Sequence, residues 1–218
     1  MSALSPVQKQ TNKVADATIT DQDTINGYSG SISYSMTASD NGTASGTIVY
    51  NSYKSYANAP LIDGSVNFSA TYNTSTASLS SFRMTFVNVT ASTGTESVTL
   101  AGTLAISGTE STITTTITMT LTDNVTHKTY GMSNYQLVMT QSASGISMTL
   151  SGTYYDPVHG YVVISTVSPV TTSYASGVPD SGVLLFTGSN GTRARLTFTS
   201  TGYVVEADSG TGTFVVVP

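Results

Sequence analysis

The sequence predicts an all-β protein: a long antiparallel up-and-down meander, curled into a half-barrel or sandwich, with a C-terminal group of β-hairpins. Three observations predict it. From residue 28 onward apolar residues recur at every second position, the period at which strand side chains return to one face. A third of the 218 residues are hydroxylic, 39 Thr and 33 Ser, and the branched Cβ of Thr suits a pleated surface. The breaks between runs carry Asn-Gly, Asp-Asn and Ser-Gly pairs, the chemistry of tight hairpin turns.

Residues 1–27 lack a sustained period and hold Asp16, Asp21 and Asp23 close together; they read as an N-terminal arm with room for one short strand. Alternation then begins. Ile32, Tyr34 and Met36 alternate with Ser31, Ser33 and Ser35, and Val66, Phe68, Ala70 and Tyr72 with Ser65, Asn67, Ser69 and Thr71. Phe82, Met84 and Phe86 follow; Val98, Leu100, Leu104 and Ile106 then hold one parity across Gly102. Ile113, Ile117, Met119 and Leu121 alternate with Thr114, Thr116, Thr118 and Thr120, and Tyr135, Leu137, Met139, Ile146, Met148, Leu150 and Tyr154 continue the pattern. Short connections force antiparallel pairing, so residues 28–174 read as one β-meander domain. Residues 174–182 (YASGVPDSG) read as a linker or long loop, and residues 175–218 as a C-terminal hairpin module that is either separate or part of the same sheet. About ten to thirteen strands are expected, many longer than the usual five or six residues. Each has one apolar and one hydroxyl face, and the apolar parity, Phe68, Met84, Ile117 and Leu137 included, is the one expected to leave water.

Charge narrows the function. Only 9% of residues are charged and the net charge is −5, whereas an average soluble domain is roughly 25% charged. The seven Lys and Arg are scattered, so the clustered basic footprint of a nucleic-acid binder is missing. No apolar run reaches the length of a transmembrane helix. No Cys is present, so sheet pairing must hold the fold without disulfides. Residues 1–4 run straight into polar sequence, and the expectation is an export signal already removed, with Met1 not the native start. The six Asn-x-Ser/Thr triplets at Asn41, Asn67, Asn73, Asn88, Asn124 and Asn190 barely exceed the roughly four that composition alone supplies.

Several phrases carry a resemblance: GSISYSMT at residues 30–37, GSVNFSATY at 64–72, TMTLTD at 118–123, SGTYYDPVHGYVVIST at 151–166 and SGVLLFTGSNGTRARLTF at 181–198. They resemble uncharacterised exported β-rich proteins and lipoproteins of Gram-negative bacteria. The resemblance implies an envelope or secreted location and no activity. Such proteins carry an acidic Asp-x-Asp-Gly loop near the end. The matching stretch here, Ala207-Asp208-Ser209-Gly210-Thr211-Gly212, keeps one acid, which leaves a calcium role for it in doubt.

Candidate chemistry is thin. His127 and His159 lie near Asp123 and Asp156 in predicted turns, with no nucleophile elbow to complete a triad. His is too sparse for zinc. The stretch from Asp21 to Gly27 faintly evokes a calcium loop, but Ile25 and Ile32 stand where ligands belong. Paired carboxylates for glycoside hydrolysis have no sequence form here. No catalytic residue, metal or cofactor is assigned. Arg193 and Arg195 share a face, either as an anion clamp or as charges guarding an edge strand. Tyr34, Met36, Tyr72, Met84, Met119, Met139, Met148 and Tyr154 fall on the apolar parity. They fill a core, or they line a cavity for an acyl chain or other apolar ligand, which adaptable Met and amphipathic Tyr suit. The expectation is therefore a non-catalytic extracytoplasmic protein binding a lipid or other apolar small molecule. The rival is a cell-surface structural or adhesive subunit that self-associates through the N-terminal arm or its edge strands.

Overall fold

The computed structural model describes residues 17–76 and 78–218. The first sixteen residues of the expected arm lie outside them. Fourteen strands form one sheet in chain order, each antiparallel to the next, and the two ends of the sheet do not pair with each other. They are β1 (Thr18–Asn26), β2 (Ser29–Ser39), β3 (Thr43–Lys54), β4 (Leu61–Asn73), β5 (Ser78–Ser92), β6 (Ser97–Gly108) and β7 (Thr112–Asp123), then β8 (Lys128–Gln141), β9 (Gly145–Asp156), β10 (Gly160–Ser173), β11 (Ser181–Gly188), β12 (Arg193–Thr199), β13 (Gly202–Asp208) and β14 (Val215–Val216). The all-β antiparallel meander is thus the architecture of the chain. β1, inside the predicted arm, pairs with β2 along its whole length. β11–β14, the predicted terminal hairpins, continue the same sheet.

Turn chemistry recurs from hairpin to hairpin. In the Asn41-Gly42-Thr43 and Asn190-Gly191-Thr192 turns, the Asn Oδ1 accepts from the amide and the hydroxyl of the Thr two residues on. Asn73 Oδ1 accepts from the Ser75 and Thr76 amides, and Asp123 Oδ1 from those of Val125 and Thr126. Asp156 Oδ1 accepts from the amides of Val158 and His159. These are side chains standing in for backbone at a bend. Three of the Asn-x-Ser/Thr triplets owe their form to this turn geometry.

Pairing register puts the apolar parities of all the strands on one face, because directly opposed residues share a face. One row runs Met36–Gly46–Phe68–Met84–Leu104–Ile117–Tyr135. A second runs Tyr34–Ile48–Val66–Phe86–Gly102–Met119–Met132–Tyr154–Val162. The opposite face is hydroxylic, as in the row Ser35–Thr47–Asn67–Thr85–Thr103–Thr118. Cross-strand bonds such as Thr90 to Thr99 at 2.9 Å and Thr71 to Ser81 at 2.7 Å tie that face together.

A line of irregularities crosses the sheet obliquely. Ser52, Asn88 and Asn134 adopt positive φ (49°, 50° and 48°), each where the register slips between neighbouring strands. Extra residues of this kind bend a strand and raise its twist. Facing Asn88 is Gly64, at φ +114, whose missing Cβ leaves room for the Asn88 carbonyl. The slips matter for parity: each bulge re-phases its strand, so the apolar residues beyond it return to the same face.

This face is not sealed. Among the described residues only Ala59, Val66, Val170 and Leu184 are buried apolar side chains. Phe68, Met84, Ile117 and Leu137 are half-buried, which departs from the expectation that their parity leaves water. The reason is architectural. Strands touch almost solely their neighbours in the sheet, so each side chain is flanked on two sides by cross-strand partners and has no second layer above it.

Candidate apolar groove

The eight predicted binding residues all sit on the apolar face, but not in one place. Tyr34 and Met36 lie on β2 beside the open β1 edge. Tyr34 pairs opposite Asp23, and its hydroxyl donates to Asp21 Oδ2 at 3.2 Å. Desolvation by its neighbours, then the Asp21 hydrogen bond and charge, push the phenol above its ordinary pKa. The groove beside it, lined by Gln22, Thr24, Ser33, Ser35, Thr47 and Val49, lies on the opposite, hydroxyl face and does not join Tyr34 to the other seven. Tyr72 is committed locally, donating to the Ser39 carbonyl at 2.8 Å. Met84 packs between Phe68 and Leu104 in its row. Met139 and Met148 oppose each other across β8 and β9.

Met119 and Tyr154 do come together. They line a groove of about 430 Å³ with Leu100, Leu121, Tyr130 and Met132. Register builds it: Met119 stands opposite Met132, Met132 opposite Tyr154, and Leu121 opposite both Leu100 and Tyr130. Gly102 lies opposite Met119, so one position in the row has no side chain at all. Four apolar side chains, with Tyr130 and Tyr154, make a wall with few polar atoms, the make-up of a site for a hydrocarbon chain. Leu100, Leu121, Tyr130 and Met132 were missed as site residues. The parity of Leu100 and Leu121 was legible; Tyr130 and Met132 precede the run read from Tyr135 and share its face only through a bulge in β8 that sequence alone does not place.

The other candidates resolve into structure. Asp21 and Asp23 lie two apart on an extended strand, where no calcium loop forms. Asp123 accepts from the Thr126 hydroxyl at Oδ2 and from the Thr126 and Val125 amides at Oδ1, and Asp156 accepts from the Val158 and His159 amides; those bonds, the Thr126 hydroxyl foremost at Asp123, hold both carboxyls below the usual range. Neither is aimed at His127 or His159 as a catalytic partner would be. Arg193 and Arg195 are not on an edge strand: β12 lies between β11 and β13. Arg193 Nε and Nη2 donate to Asp208 Oδ2 at 3.0 and 2.6 Å, and Arg195 Nε and Nη2 donate to the Glu206 carboxylate at 2.7 and 2.8 Å. Both guanidinium groups lie against the Phe214 ring, at 5.1 and 4.5 Å from its centroid, an arrangement favoured by the ring quadrupole.

Asp208 is the single acid of the glycine-rich terminal loop, and it is 2% exposed. Its Oδ1 accepts from the amides of Gly210, Thr211 and Gly212 at 2.9, 2.9 and 3.1 Å. The Arg193 bond, with help from those amides, holds its pKa down to about 2. Both oxygens are occupied by donors of the chain itself, so the loop that would invite a cation is closed by an arginine.

No family model, curated protein or solved structure matches the chain.

Proposed function

We propose that this is a non-catalytic, extracytoplasmic envelope protein that holds a lipid or other apolar molecule against the apolar face of its sheet. The observation that carries the reading is the groove of Leu100, Met119, Leu121, Tyr130, Met132 and Tyr154, about 430 Å³ and nearly free of polar atoms. A hydrocarbon chain laid there loses its contact with water, the main source of affinity for such ligands. Thioethers adapt to its contour, and the Tyr hydroxyls offer a place for a polar head. The extracytoplasmic assignment draws on the sequence resemblance and on the lack of Cys.

Titration with a fluorescent long-chain fatty acid tests this. Saturable binding is expected, with affinity falling about tenfold in Met132→Gln, since an unpaired amide in an apolar site costs about 1–3 kcal/mol. Absence of saturable binding, or equal affinity in the variant, overturns the reading.

A second reading, a surface structural subunit, draws on β1. All nine of its residues are exposed and, among the described residues, it is paired on one side only, so it can receive another strand. Filaments seen by electron microscopy of the purified chain favour that role; discrete particles alone speak against it.

A further inference from the structure

One ligand covers a small part of the apolar face. Fourteen strands spaced by about 4.8 Å, averaging about eleven residues at about 3.3 Å per residue, give the face a footprint on the order of 2,400 Å². Patches on a soluble monomer rarely exceed roughly 600 Å².

The face also has the anatomy of an interface. Its two long rows, from β2 to β8 and from β2 to β10, carry no charged side chain. Charges that share the face stand at its rim: Asp21 and Asp23 on β1, and Asp123, Lys128 and Asp156 at hairpin ends. An apolar centre inside a polar rim is how stable protein interfaces are laid out. A membrane surface fits less well, because interfacial binding to anionic lipid calls for a basic border and this border is mostly acidic.

We propose that the apolar face is covered by a second copy of the same chain, sheet against sheet about a two-fold axis. Two such faces bury up to about 5,000 Å² in total, the range of obligate homodimers, and overlap of a third of each still matches a standard interface. A two-fold contact asks one self-complementary patch of each chain, and the packed sheets stand about 10 Å apart. The Met119–Tyr154 groove then lies between the two layers. The inference does not depend on the ligand reading: a chain that stays single can still bind the fatty acid, and a dimer can leave the groove empty.

Light scattering on the full chain without detergent tests it, beside Leu104→Glu in the centre of the apolar face and Thr103→Glu on the hydroxyl face. The expected masses are twice 22.6 kDa for the parent and Thr103→Glu, and the single-chain mass for Leu104→Glu with its β-type circular dichroism kept. A parent of single-chain mass, bare or carrying extracted lipid, overturns the proposal, as does a Leu104→Glu variant that stays double. If Leu104→Glu does not fold, the thiol introduced by Leu104→Cys replaces it. Its maleimide labelling should slow as protein concentration rises, while that of Thr103→Cys should not change. Labelling at 104 that ignores concentration overturns the proposal.

Discussion

Gly102 and Asn88 show how single residues hold this sheet in shape. Gly102 sits at φ +129, and a Cβ there would run into the Thr118 carbonyl and the Met119 backbone. Gly102→Ala is expected to destabilise the chain by about 1–3 kcal/mol, the usual cost of forcing a side chain into such a conformation, read as a lower urea midpoint with an unchanged slope. Asn88 adopts φ 50° at its bulge, a conformation Asn and Gly reach far more readily than other residues. Asn88→Gly should leave the midpoint nearly unchanged, whereas Asn88→Ala should lower stability by about 1 kcal/mol; equal effects would show that the bulge does not govern stability. Gly102 was legible in the sequence as an interruption of a strand that kept its parity on both sides. Asn88 was not, because an Asn inside a run of apolar and hydroxyl residues carries no mark of its own φ.

The hairpin of β12 and β13 with its following loop is the element with the clearest electrostatics. Asp208 is held at a pKa of about 2, against an ordinary value of 3.8, and Arg195 holds Glu206 below its ordinary value as well. A carboxylate whose folded pKa is depressed adds stability that is complete above its unfolded pKa and is lost as pH falls through the folded one. Acid sensitivity of this hairpin is therefore expected between about pH 4 and pH 2. Thermal unfolding across that window should show a falling midpoint in the parent and a flatter profile in Asp208→Asn; parallel profiles would remove Asp208 as the cause. Sequence alone placed the two arginines on a common face and misjudged their setting. The deciding facts are that β13 and β14 lie beyond β12, and that Asp208 and Glu206 meet the arginines in register. Neither is written in the arginines or their spacing. The strands themselves were legible for a plain reason: period-two alternation ending in Asn-Gly or Asp-Asn has few other physical meanings.

At the scale of the whole molecule, a single layer replaces the enclosed core that alternation suggested. Alternation reports which face prefers to leave water, not what covers it, so the same pattern serves a sandwich, a barrel and an open sheet. With no central core, protection against hydrogen exchange should be graded. Amides of β1 and β14 at the two ends should exchange first and those of β5–β9 last, as read by mass spectrometry of proteolytic fragments. Uniform protection across the sheet would show instead that it opens as one cooperative unit. The strictly sequential strand order has one more consequence. Since strands touch almost solely their chain neighbours, the molecule resembles a linear array in which stability is added locally. Duplicating or deleting a whole hairpin keeps both the direction and the facing of every remaining strand, so such a sheet can be widened or narrowed in evolution two strands at a time.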